Sequence, residues 1–241
     1  MSKLEPAAYW NRAGEISYAQ AMFAHPVVEA HVNGRLGEVG VNIGKQLGLN
    51  ERSHVLDLGC GDGTLANRVL AEHFCSVDGY DQAPAAIKFA RDHATRENVH
   101  FSAEDITKID FSKSPRYDGV YLWGILHHVK ASAETILSRL SCVTGRVIVL
   151  EPNGDHIARK LLERTASYRR AGEESFRTKE LEGIFCRAGF HPVIWKRLNL
   201  FPNFTPQWLF HLLRPLESVF ENNRVLRAFC TVNVWGFAKD E

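Results

Sequence analysis

The chain has 241 residues, 45% hydrophobic and 24% charged, which is enough apolar surface for a substantial core and excludes a disordered or low-complexity architecture. Twenty-nine Lys and Arg against 28 Asp and Glu leave a formal charge of +1, so no global field points to nucleic acid. Five scattered cysteines, none in a C-x-x-C pair, indicate neither a disulfide framework nor a zinc site and fit a reducing cytoplasm.

In chain order, residues 1–50 include Tyr9, Trp10 and Tyr18 and read as an N-terminal helical cap. No apolar run after Met1 is long enough for a signal peptide or a spanning helix, so a cytoplasmic chain without integral membrane association is expected. At His54–Leu58 a short apolar run reads as a buried strand and breaks into Gly59-Cys60-Gly61-Asp62-Gly63. Residues 64–71 then have helical spacing, with Leu65, Val69 and Leu70 on one face. Further strands are predicted at Cys75–Tyr80, Val99–Ser102, Tyr117–Trp123, Arg146–Leu150, Pro192–Arg197 and Thr231–Ala238. Helices are predicted from Pro84 to about Arg96, from Ala133 to Cys142, and from Thr178 to Ala188, the last closed by Gly189 as a C′ glycine.

Strands alternating with helices imply right-handed crossovers and a doubly wound α/β fold, with a mostly parallel seven-stranded sheet between two helical layers. The expected organisation is one domain over 1–241, with residues 51–151 as a cofactor-binding core and residues 152–176 and 199–229 as helical insertions.

In such a sheet, ligands bind at the carboxyl ends of the strands near the switch point, where the glycine loop falls. Asp81 ends the second strand twenty residues after Gly61, where a carboxylate can accept two hydrogen bonds from a ribose diol. Both a nicotinamide dinucleotide and S-adenosylmethionine satisfy that logic. The dinucleotide fingerprint is incomplete, because Thr64 stands where its last glycine or alanine belongs. Asp57, close to the loop, would repel a pyrophosphate and attract an ammonium or sulfonium group, which favours the second cofactor.

Val55-Leu56-Asp57-Leu58-Gly59-Cys60-Gly61-Asp62-Gly63-Thr64 resembles motif I of the class I S-adenosylmethionine-dependent methyltransferases. Leu126-His127-His128-Val129 further resembles the small-molecule subgroup that includes the ubiquinone and menaquinone biosynthesis methyltransferases. The resemblance covers about residues 52–151 and implies a Rossmann-like fold, with S-adenosylmethionine as cofactor and S-adenosylhomocysteine as product. It implies cofactor contacts at Asp57, Gly59, Cys60, Gly61, Asp81, Gln82, Leu122 and Trp123, and at the adenine-contacting segment Glu104, Asp105 and Ile106. Asp105 has the alternative of being a solvent-facing loop residue. Tyr9 and Tyr18 resemble the aromatic segment that closes over the cofactor in this subgroup, or anchor a helix. Ala83 followed by Pro84 replaces the family's usual serine cap, which implies a modest local loss of stability.

The sulfonium already makes the methyl group electrophilic, so alignment and exclusion of water are the main requirements and no metal is called for. A base matters only if the nucleophile arrives protonated. His127 and His128 follow the fourth strand, and one is expected to act as base or to orient the substrate; packing beneath a lid is the alternative reading. The expected acceptor is a small molecule, apolar, aromatic or lipid-like, with O-methylation preferred over N or C.

Both insertions leave the carboxyl edge of the sheet and can form a lid. Residues 199–229 hold Phe201, Phe204, Trp208, Phe210 and Leu212 with interspersed arginines, and residues 152–176 are rich in Arg and Lys. These point to an apolar acceptor carrying an anionic group, or to ordinary helix packing and a solvated basic face, with peripheral membrane contact as a further extension. The competing functions are a nicotinamide-dependent oxidoreductase and a non-catalytic methyltransferase-like binding protein.

Overall fold

A computed structural model describes residues 17–165 and 174–239. Seven strands form one sheet in the order β3-β2-β1-β4-β5-β7-β6. They are β1 (His54–Leu58), β2 (Ser76–Asp81), β3 (Val99–Ala103), β4 (Gly119–Trp123), β5 (Arg146–Pro152), β6 (His191–Leu198) and β7 (Val232–Ala238). The first five pair in parallel, while β7 runs antiparallel to both β5 and β6. The strand order reverses between β1 and β4, which opens the crevice where ligands bind in folds of this kind.

The helices are α1 (Tyr18–Met22), α2 (Pro26–Gln46), α3 (a π-helical turn Ala66–Leu70 continued by Ala71–His73), α4 (Pro84–Asp92), α5 (Ala133–Leu140), α6 (Ile157–Leu162), α7 (Thr178–Arg187), α8 (Gln207–Leu213) and α9 (Glu217–Asn222). Successive strand residues point to opposite faces, and both faces are covered, so the strands read as continuous apolar runs. Val55, Tyr121 and Ile148 join Leu36 and Ile43 of α2 in one core cluster. Leu56, Val120 and Val147 join Leu137 of α5 and Phe185 of α7 in the other. Each fully buried leucine in these layers contributes ~2 kcal/mol.

The predicted strands are present, with boundaries shifted by up to two residues. The helix opened by Pro84 stops at Asp92 rather than near Arg96, because residues 91–97 are exposed and a further turn would have no apolar face to bury. Pro192 and a bulge between Pro192 and Ile194 lie on β6, an edge strand, where a missing amide costs no ladder bond. Gly189 takes φ +84, as a C′ glycine does. The cap expected in residues 1–50 is helical from Tyr18 to Met22 and from Pro26 to Gln46. Tyr9 and Trp10 lie outside the described residues.

Candidate active site

The turn after β1 places three carboxylates around a backbone cradle. Gly59 (φ +82) and Gly61 (φ +55) adopt left-handed conformations that favour glycine, and a Cβ would come 2.4 Å from Ile125 at the first and 2.5 Å from the Tyr18 ring at the second. The amides of Gly59 and Cys60 donate to the Tyr80 carbonyl at 2.7 and 3.0 Å, tying the loop to the end of β2. Asp81 is held there by the amides of Gly61 (3.0 Å) and Ala83 (2.8 Å). Burial raises its pKa, and those two amides pull against the rise. Asp62 accepts from the Ser17 hydroxyl and the Tyr18 amide, both at 2.8 Å, and from the Thr64 amide at 3.1 Å. The chain before α2 is thereby fastened over the loop.

Asp57 differs from the other two. It is fully buried near the end of β1, and among the described residues neither carboxylate oxygen has a hydrogen-bond partner. Burial first, then the charges of Asp81 and Asp62, push its pKa up to about 8. A buried carboxylate is costly unless paired, so this arrangement fits a cationic ligand group and opposes a pyrophosphate. Tyr18, whose ring packs on Gly61, has its phenol pKa raised by burial and by the nearby Asp81 and Asp62.

The cradle opens into a cavity of about 1270 Å³. Asp57, Gly59, Cys60, Gly61, Asp81, Gln82, Ile106, Trp123, Tyr18, His127 and His128 all border it, so most of the site residues read from the sequence are brought together. Three are not. Leu122 is fully buried in the cluster on the α5 side of the sheet. Glu104 is exposed, and its amide donates to the Asp81 carbonyl at 2.9 Å. Asp105 spends its carboxylate on a turn, accepting from the Thr107 amide (3.0 Å) and hydroxyl (2.7 Å) and pairing with Lys108 at 2.8 Å, which holds its pKa below the usual range. Both insertions reach the cavity, residues 152–176 through His156, Arg159 and Leu162, and residues 199–229 through Asn203 and Phe204.

One residue missed in the sequence stands behind the histidines. Glu151, fully buried at the carboxyl end of β5, accepts from His127 Nδ1 at 2.7 Å and from the Leu126 amide at 2.8 Å. With Nδ1 donating to a carboxylate, Nε2 is the basic nitrogen of the His127 ring. The His128 ring lies 4.0 Å from that of His127, centroid to centroid. The available signal was an acid directly following the most strand-like run of the chain, at the sheet edge where ligands bind.

A family model described as a methyltransferase domain matches residues 31–193. The chain is similar to the ubiquinone biosynthesis O-methyltransferase of Alkalilimnicola ehrlichii, 38% identical over 106 residues that cover 42% of this chain and 42% of that protein. It thus spans about two fifths of the length of that relative. It is 26% identical over 159 residues to the protein of the same name from Glaesserella parasuis, covering 54% of this chain and 67% of the relative. Among solved structures, magnesium protoporphyrin IX methyltransferase from Synechocystis PCC 6803 with bound SAM superposes with a TM-score of 0.61 over 98% of both chains, at 14% identity. At that identity the likeness is one of fold.

Proposed function

We propose, from the premise that this chain belongs to the class I S-adenosylmethionine-dependent methyltransferase family, that it methylates the hydroxyl oxygen of a small apolar, aromatic or lipid-like acceptor. The observation that carries the reading is the unpartnered Asp57 carboxylate beside Asp81 at the glycine cradle, which fits a ligand with a positive end and a ribose. S-adenosylmethionine supplies the electrophilic methyl group at that cradle. Asp57 would pair with its cationic portion, Asp81 would accept from its ribose hydroxyls, and Trp123, Ile106 and Tyr18, which also line the cavity, would exclude water. His127 would take the proton of the acceptor hydroxyl as the oxygen–methyl bond forms and the sulfur–methyl bond breaks, leaving S-adenosylhomocysteine, and Glu151 would stabilise the resulting imidazolium. The buried His127–Glu151 pair supplies a proton acceptor for a hydroxyl nucleophile, and the name of the Alkalilimnicola relative agrees with oxygen as the methylated atom. The same Asp57 counts against the nicotinamide reading.

Calorimetric titration with S-adenosylhomocysteine tests the reading. The wild type should bind, and Asp81→Ala should weaken binding roughly tenfold to a hundredfold, as loss of a charged hydrogen-bond acceptor does. Binding of NAD in place of S-adenosylhomocysteine would remove the proposal.

A further inference from the structure

S-adenosylmethionine is a zwitterion at its amino-acid end, with an α-ammonium and an α-carboxylate on one carbon atom. Asp57, Asp62 and Asp81 suit the first and repel the second, so a cation has to stand near them. Asp57 sets the direction in which that cation lies. It shares a sheet face with Val55, two residues earlier, and is the register partner of Tyr121, and both of these join Leu36 and Ile43 of α2 in one core cluster. A ligand ammonium held at Asp57 would therefore lie on the α2 side of the sheet, and the carboxylate on the same carbon with it.

Among the described residues, two permanent cations border the cavity, Arg68 and Arg159. Arg159 belongs to α6, which follows β5, two strands away from β1, and its Nε donates to Glu163 at 3.2 Å. Arg68 lies on α3, which leaves the cradle directly, one turn after Thr64. Val69 and Leu70 of α3 join the α2 cluster, and a Cβ at Gly37 of α2 would come 2.8 Å from Val69, so α3 packs against α2 on the side that Asp57 faces. Arg68 Nη1 donates to Glu29 Oε1 at 3.0 Å, and among the described residues Glu29 is its only hydrogen-bond or ion-pair partner. Glu29 is buried and also accepts from Asn33 at 2.9 Å, which makes it a fixed anchor for the guanidinium. The Arg68 side chain is 60% exposed and can turn about that anchor without leaving a buried charge unpaired. Glu38, the acid of α2 that borders the cavity, meets His73 at 3.2 Å.

We infer that Arg68 receives the α-carboxylate of the cofactor, its fork donating to the carboxylate oxygens while Glu29 holds Nη1. The inference rests on the proposed pairing of Asp57 with the cationic end of the same ligand. Asp57 and Arg68 then answer the two charges of one amino acid, and the site selects adenosyl compounds that carry both. A compound that keeps the adenosine and the ammonium but lacks the carboxylate loses the Arg68 contact alone.

Calorimetric titration of the full chain with S-adenosylhomocysteine and with its decarboxylated analogue, in which hydrogen replaces the α-carboxylate, tests the inference. The wild type should bind S-adenosylhomocysteine about tenfold more tightly than the analogue, as loss of a charged hydrogen-bond acceptor predicts. Arg68→Met should lose that preference, binding S-adenosylhomocysteine about tenfold more weakly and the analogue as the wild type does. The unchanged affinity for the analogue separates a lost contact from a disturbed cradle. An Arg68→Met variant that keeps the wild-type preference overturns the inference, whether it binds both ligands as before or both more weakly. A wild type that binds S-adenosylhomocysteine no better than the analogue also overturns it and leaves the proposed function standing. A wild type that binds neither ligand removes the proposed function and the inference with it.

Discussion

Asp57 shows how much one side chain can carry. Its folded-state pKa of about 8 lies above the ordinary value of 3.8, so the folded chain holds this proton more tightly than the unfolded chain. The stabilising contribution is complete below that ordinary value, declines as pH rises, and is lost above about 8. Asp57→Asn removes the titration, so in thermal denaturation its ligand-free advantage over the wild type should be larger near pH 8 than near pH 5. A bound cation reverses the preference. Wild-type affinity for S-adenosylhomocysteine should climb as pH rises toward about 8, with proton release visible as a buffer-dependent enthalpy, and Asp57→Asn should lose that climb and ~2 kcal/mol of binding. At His127 the corresponding test is kinetic. Glu151→Gln and His127→Asn should each lower kcat about a hundredfold, the double variant should fall no further, and S-adenosylhomocysteine affinity should be unchanged. Full turnover by either single variant would end the assignment of His127 as base.

Helix α2 explains why the wall of the site is as close as it is. Gly37, Gly40 and Gly44 lie along the side of α2 that meets the core, and a Cβ at Gly40 would stand 2.7 Å from the Trp123 ring, one at Gly44 2.5 Å from the Tyr121 hydroxyl. Their absence of a side chain lets the helix approach β4 and press Trp123 toward the cavity. Gly34, on the same helix, has nothing within 4 Å of its would-be Cβ. Alanine is favoured over glycine in a helix by ~1 kcal/mol, so Gly34→Ala should raise the Tm. Gly40→Ala gains the same propensity but must displace an indole, and should lose ~1–3 kcal/mol net by denaturant unfolding, with weaker S-adenosylhomocysteine binding as Trp123 shifts. Equal behaviour of the two variants would refute the packing argument.

Across the whole molecule, the site is enclosed by segments remote in sequence. Asp62 reaches back to Ser17 and Tyr18, and Arg35 of α2 holds Glu217 and Glu221 of the second insertion, whose carboxylates are nearly inaccessible. Removing the partner of buried carboxylates costs ~3 kcal/mol or more. Arg35→Ala should therefore release residues 199–229, detected as new cleavage there in limited proteolysis, and lower acceptor turnover while S-adenosylhomocysteine affinity persists. An uncleaved, fully active variant would show that the insertion needs no such anchor.

The sequence alone determined the alternation of strands and helices, the glycine cradle, and the places of Asp57 and Asp81, because these follow from apolar periodicity and from backbone conformations only glycine adopts readily. The apolar content of residues 199–229 was equally legible, and its division was not. Periodicity identifies a stripe, but which stripe meets α2 and which meets solvent depends on a helix some 180 residues away. The pairing of Glu151 with His127, the lack of any partner at Asp57, and the turn that occupies Asp105 were settled by tertiary structure for the same reason. Hydrogen-bond partners and burial belong to pairs of residues brought together by folding, and a linear pattern records only one member of each pair.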